Sequence, residues 1–174
     1  LLIKPIAYWY KDAGPQVYTV NNLGNPVLWW LSSGAIALLT LDKLLAAKAQ
    51  FIQRLKGQVR WRSLPKESPA SPKSHTRALG TYLLISYGAN WLPWMLVSRC
   101  TFIYLYMPAA VFSFMLLAWL LSEWLYSPAA WVRTVGWAML VAIALAFCFW
   151  LPLSLGSPLS PEGLSLRWWL RTWI

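Results

Sequence analysis

The sequence predicts an all-α, polytopic membrane protein with four transmembrane helices and an outer-face hairpin between the second and third. Three observations carry that prediction. The chain of 174 residues is 59% hydrophobic and only 11% charged, against about 25% charged in ordinary soluble domains. Its apolar residues fall into blocks of about 20, the length that crosses a bilayer core as a helix. Eight of the 15 Lys and Arg residues lie in one polar stretch between blocks, the pattern of a cytoplasmic loop. A mean hydropathy of +0.48 excludes a disordered or collagen-like chain and argues against a soluble enzyme. Cys100 and Cys148, the only cysteines, form no CxxC pair and no disulfide framework. Residue 1 is Leu, and no signal peptide opens the chain, so it reads as the C-terminal portion of a longer protein.

Residues 1–25 are aromatic and rich in turn formers. They read either as an outer segment lying against lipid headgroups, a depth that suits Tyr8, Trp9 and Tyr10, or as an unstructured end. The first span covers residues 26–46. Asn25 and Pro26 suit a helix start, since Pro is tolerated in the first turn. Trp29 and Trp30 mark one interface, and Asp42 and Lys43 fall near the other. A charge at the bilayer centre costs about 2.5–3.5 kcal/mol, and less near a helix end. Asp42 and Lys43 are therefore interfacial residues or, alternatively, a buried functional pair.

Residues 47–77 hold Lys48, Arg54, Lys56, Arg60, Arg62, Lys66, Lys73 and Arg77 against one acid, Glu67. Their first half can continue the helix. Their second half, with Pro65, Pro69 and Pro72 among serines, has the composition of a flexible linker. The positive-inside rule places this linker in the cytoplasm. The second and third spans, 78–97 and 101–121, are joined by a tight connection at Ser98, Arg99 and Cys100. Pro93 and Pro108 each remove a backbone donor and should bend or loosen their helices. The fourth span covers 131–151. In it Ala138, Ala142 and Ala146 form either a close-packing stripe or simple helix-favouring sequence. By alternation, segment 1–25, the Arg99 connection and the tail 152–174 lie outside, with both termini outside and the 122–130 link inside.

No GxGxxG or GxxxxGK[ST] motif is present, so no nucleotide-phosphate loop is indicated. His75 is the only histidine, and the five carboxylates are scattered. No metal site, cofactor or acid/base couple is expected. The basic linker reads as a contact for anionic membrane lipid and not as a nucleic-acid site. One constellation stands out: Asn90, Trp91, Pro93, Trp94, Arg99, Tyr104 and Tyr106 at the outer end of the second and third spans. A lone Arg is shaped to grip a phosphate through paired hydrogen bonds, and Tyr hydroxyls and the Asn amide add donors. This set suits a lipid-linked phosphate. The alternative is that Arg99 is a headgroup anchor within an ordinary aromatic belt.

Three stretches carry a family resemblance: GNPVLWW (24–30), NWLPWMLVSRCTFIYLYMPA (90–109) and the closing FWLPLSLGSPLS…LRWWLRTWI. In order and spacing they resemble the C-terminal four-helix membrane domain of protein O-mannosyltransferases, and the bacterial members more than the fungal ones. The resemblance implies a GT-C glycosyltransferase of the plasma membrane. Such an enzyme moves mannose from a polyprenyl- or dolichyl-phosphate donor to Ser or Thr hydroxyls of an acceptor protein, inverting the anomeric centre. It also implies that the catalytic acids lie on an N-terminal outer loop beyond these residues, so that this chain alone is inactive. The pattern departs at Leu105, where members commonly carry a His between the two tyrosines. Two readings follow. The chain is the donor-binding membrane part of such an enzyme, with Arg99, Tyr104, Tyr106 and Asn90 toward the phosphate, or it is a non-catalytic four-helix accessory subunit.

Overall fold

The computed structural model of the chain describes residues 7–21, 23–55, 72–96 and 103–169. Seven elements follow in order: β1 (Ala7–Asp12), β2 (Val17–Asn21), α1 (Pro26–Leu55), α2 (Pro72–Met95), α3 (Ile103–Leu125), α4 (Ala130–Leu155) and α5 (Pro161–Ser165). They form two compact units. One comprises Leu1–Trp30 with Trp124–Ile174, the other Leu31–Glu123.

The first unit opens with an antiparallel hairpin, which corrects the all-α expectation. Tyr, Trp, Val and Thr favour a pleated, half-buried surface, and the turn between the strands is built locally. Asp12 Oδ1 accepts from the Gly14 amide at 2.9 Å, and Gly14 takes a left-handed φ of 78°. The register pairs Tyr10 with Thr19 and Asp12 with Val17, with an irregularity between Ala7 and Trp9. Along β2, Val17, Thr19 and Asn21 are buried, while Tyr18 and Val20 are half-buried. The two buried polar residues satisfy each other in part: Asn21 Nδ2 donates to Thr19 Oγ1 at 2.8 Å.

The tail completes this sheet edge. Val17 exchanges both main-chain hydrogen bonds with Leu159, at 2.8 and 3.0 Å. Residues 152–169, within the stretch that the sequence reads as an outer tail, are therefore folded. The core beneath consists of Leu23, Ala146, Trp150 and Leu153, with Val27, Phe149, Leu159, Leu164 and Trp168 packed against it. Helix α4 runs through Pro152 and stops at Gly156, whose φ of 68° turns the chain back; the Gly156 amide bonds the Pro152 carbonyl. A Cβ on Gly156 would come within 2.9 Å of Val20 Cγ2, so both the turn and the hairpin require glycine there. Ser160 then caps α5, accepting from the Gly163 amide at 3.1 Å.

Asn25 and Pro26 start α1, as their types suggest. Asn25 Oδ1 accepts from the Leu28 amide at 3.2 Å, the geometry of an N-cap. Its Nδ2 donates to the Ile143 carbonyl of α4 at 2.9 Å. The helix runs on to Leu55, and α2 begins at Pro72. The expected linker 47–77 is thus helical at both ends. The stretch after residue 46, built mostly from Ala, Lys, Gln, Arg and Leu, favours helix, and Pro72 occupies a first-turn position that Pro accepts.

In the second unit, Gly80 and Leu83 of α2 and Ala109, Ala110, Ser113, Leu116, Leu117 and Leu121 of α3 are buried. These positions recur every three or four residues and so mark one face of each helix. Gly80 lets the Trp119 ring approach to 3.0 Å of where a Cβ would stand. Ser113 returns its hydroxyl proton to the Ala110 carbonyl at 2.7 Å, so it is buried without an unmet donor. Helix α2 ends at Met95, two residues after Pro93, whereas α3 passes through Pro108 in its second turn.

Among the described residues, two stretches are long and apolar enough to cross a membrane: Tyr106–Leu125 within α3 and Ala130–Leu155. In α4, only 17% of the most apolar window is buried inside the protein. A soluble core helix would be covered, so the exposure of Trp137, Val141, Leu145 and Phe147 fits a helix whose solvent is lipid. Helix α1 is diluted by Ser32, Ser33, Asp42 and Lys43, and α2 by its Gly, Asn and aromatic residues.

Candidate functional site

Helix periodicity puts Tyr87, Asn90, Trp91 and Trp94 on one face of α2, at i, i+3, i+4 and i+7. The structure brings that face to Tyr106 in the first turn of α3. The hydroxyls of Tyr87 and Tyr106 are 3.3 Å apart. Their rings meet edge to face, with centroids 6.4 Å apart and planes at 86°. On its other side Tyr87 stacks on Trp91 one turn later, at 6.0 Å and 20°. Tyr87, Asn90, Trp91 and Tyr106 are half-buried and Trp94 is exposed.

Of the four residues the sequence nominates, Tyr106 and Asn90 belong to this end of the α2–α3 pair. Asn90 spends one amide proton on its own helix, donating to the Ser86 carbonyl at 2.8 Å. That bond fixes the amide against its own helix. Tyr104 lies in the first turn of α3, but its side chain falls outside the described residues, and Arg99 lies wholly outside them. Tyr87 was missed. The signal was present as its spacing of three and four from Asn90 and Trp91, but a tyrosine in a span reads first as part of an aromatic belt.

Chemically, this end of the pair offers hydroxyl and amide donors and no carboxylate among its described residues. It is equipped to hold an acceptor-rich group such as a phosphate and not to abstract a proton. No group of three or more His, Cys, Asp or Glu side chains able to hold a metal occurs among the described residues.

A second polar feature lies in the other unit. Arg167 stands 4.8 Å over the Phe149 ring. Its Nε donates to the Phe149 carbonyl at 2.9 Å and one Nη to the Gly163 carbonyl at 2.6 Å. Trp150 returns a bond from Nε1 to the Arg167 carbonyl at 3.2 Å, and Trp169 packs on Trp150 at 4.3 Å. The closing LRWW stretch, whose role the sequence left open, thus fastens the tail to the end of α4.

Comparison with known proteins identifies the family of the chain. A family model described as the C-terminal four TMM region of protein-O-mannosyltransferase matches residues 1–173. Dolichyl-phosphate-mannose–protein mannosyltransferase 4 of Schizosaccharomyces pombe is 29% identical over 60% of the chain and 12% of its own length. Protein O-mannosyltransferase 1 of Drosophila pseudoobscura is 28% identical over 99% of the chain and 19% of its length. Protein O-mannosyl-transferase 2 of the same fly is 25% identical over 97% of the chain and 27% of its length. The chain therefore spans about a quarter or less of these relatives, which are fungal and insect proteins where the sequence reading leaned to bacteria. The Saccharomyces cerevisiae protein O-mannosyltransferase Pmt1-Pmt2 complex bound to the sugar donor shares the fold, with a TM-score of 0.69 at 21% identity over 90% of this chain and 20% of that one.

Proposed function

The chain belongs to the protein O-mannosyltransferase family, of which it is the C-terminal membrane region, and from that premise we propose that it holds the phosphate end of a polyprenyl- or dolichyl-phosphate mannose donor. The mannose is passed to Ser or Thr hydroxyls of an acceptor protein by acids on the N-terminal part of the full-length enzyme. The observation that carries this reading is the meeting of the Tyr87 and Tyr106 hydroxyls across the α2–α3 pair, with Asn90 three residues further along α2 toward the connection that contains Arg99. Donors without a carboxylate suit an anion that must be held and not attacked by a base. That a related complex has been solved with its sugar donor supports the same class of ligand here.

In this reading the Arg99 connection, the hairpin and the tail face the outside, and residues between α1 and α2 face the cytoplasm. The joining of Val17 to Leu159 supports a common side for the segment before α1 and the segment after α4. The test is mannose transfer to an acceptor peptide at varied lipid-donor concentration, in a full-length enzyme carrying Arg99→Ala, with Arg133→Ala as control. Arg133 bonds the Ser127 and Pro128 carbonyls in the α3–α4 link and has no part in the site. An unaltered donor dependence in Arg99→Ala would leave the headgroup-anchor reading of that residue.

A further inference from the structure

Arg167 carries more donors than the tail uses. A guanidinium has five N–H groups. Here Nε bonds the Phe149 carbonyl, one Nη bonds the Gly163 carbonyl, and the group lies over the Phe149 ring. These are its side-chain partners among the described residues, and none is a carboxylate. A half-buried cation is thus fixed in place with its other Nη unspent. Two exposed indoles belong to the same cluster. Trp169 also packs on Phe149, at 6.2 Å, and meets Trp30 of α1 at 6.2 Å. Trp30 is 39% exposed and Trp169 50%, and neither indole N–H has a hydrogen-bond partner among the described residues.

Helix α4 gives the depth of this cluster. Nineteen residues separate Trp131 from Trp150, about 28 Å of helix rise, and a bilayer's hydrocarbon core is about 30 Å thick. The helix between them is apolar and mostly uncovered. Exposed Trp131 stands at one end beside Arg133. At the other, Trp150 packs on Trp169, at 4.3 Å. Tryptophan with a basic residue at each end is the composition of a membrane–water interface. Arg167 therefore lies at headgroup level, whichever side of the membrane that end faces.

We propose that Arg167, Trp30 and Trp169 form a seat for the headgroup phosphate of an anionic bilayer phospholipid. The cation has no acidic partner in the cluster, so charge complementarity selects an anionic headgroup over a zwitterionic one. The indole N–H groups add donors to the phosphate, and their rings cover the glycerol region. A seated lipid would brace the tail against the start of α1. The seat shares no residue with the α2–α3 pair and stands independently of the donor-binding reading.

The experiment uses the full-length enzyme in phosphatidylcholine nanodiscs containing a phosphatidylglycerol with a photoreactive group beside its headgroup. Label is read on the peptides that contain Trp30 and Trp169. Unlabelled phosphatidylglycerol should displace it at lower concentration than added phosphatidylcholine. Arg167→Gln should lower labelling about fivefold, the weight of one cation near an anionic surface, and Arg167→Lys should retain most of it. Trp30→Phe leaves every described bond of the tail in place, so its effect is not one of unfolding. It should lower labelling roughly 2- to 12-fold, the weight of one neutral hydrogen bond. Equal displacement by the two phospholipids, or parental labelling in both Arg167→Gln and Trp30→Phe, would overturn the proposal. Displacement by polyprenyl phosphate at lower concentration than by phosphatidylglycerol would assign the seat to the donor lipid and overturn it equally.

Discussion

The side-chain amide of Asn25 donates to the main-chain carbonyl of Ile143 at 2.9 Å, joining residues 118 positions apart. The same side chain accepts from the Leu28 amide. One residue thus starts α1 and ties that start to the middle of α4. Asn25→Ala removes both bonds and should lower stability by about 1–3 kcal/mol, a helix cap plus one neutral hydrogen bond. Asn25→Ser keeps a cap acceptor but is too short to reach Ile143, so it should recover only the cap share. Thermal unfolding of the detergent-solubilised protein reads the difference.

Gly156 combines a left-handed φ with the close approach of Val20. Gly156→Ala should cost about 1–2 kcal/mol for the backbone alone, and more for the methyl group against Val20. Combining it with Val20→Ala should relieve the steric part and leave the backbone part. Equal melting temperatures for the single and double variants would show that the contact with Val20 carries no weight.

Gly80 meets the Trp119 ring where α2 and α3 pack. Gly80→Ala should destabilise the pair by about 1–3 kcal/mol through overpacking. Because the ring edge is the obstacle, adding Trp119→Phe should restore part of the loss. Trp119 Nε1 is buried with no hydrogen-bond partner among the described residues, so removing the indole forfeits no bond seen there. Unfolding midpoints of Gly80→Ala, Trp119→Phe and the double variant test this.

Arg99→Ala should weaken use of the lipid donor by roughly 10- to 150-fold, the range expected for losing a charge-assisted hydrogen bond. Arg99→Lys should restore only part, since a point charge lacks the planar fork. Arg133→Ala should stay within about twofold of the parent. Donor titrations of mannose transfer, on protein of verified folding, supply all three values.

Single cysteines at Ala13 in the hairpin turn and at Ser165 in the tail should react with an impermeant reagent from the same side of the membrane. A cysteine at Ser63, in the basic stretch, should react only from the other. Cys100 and Cys148 are first replaced by serine. Labelling of position 63 from the outer side would overturn the proposed topology.

How much of this was legible follows the range of each interaction. The start of α1 at Asn25 and Pro26 was readable because a cap is made within four residues. The hairpin was not. Tyr8, Trp9, Tyr10 and Lys11 are all exposed, so β1 shows no alternation, and the buried face of β2 is completed by Leu159, far along the chain. The closing LRWW stretch was recognisable as a pattern, but its task depends on carbonyls of Phe149 and Gly163 that no motif displays. At the site, Asn90 and Tyr106 were chosen for their chemistry. Tyr87 needed the register of α2 against α3, which Gly80 and Trp119 help to set.

The pairing of Val17 with Leu159 also orders events during biosynthesis. Val17 leaves the ribosome near the beginning of this region and Leu159 near its end. Every helix between them must be inserted before the two strands of backbone can meet. Through that interval the buried edge of β2, with Thr19 and Asn21, waits without its final cover. A chain stopped early, before Leu159 and Arg167 are made, would retain its apolar spans yet expose this unfinished edge.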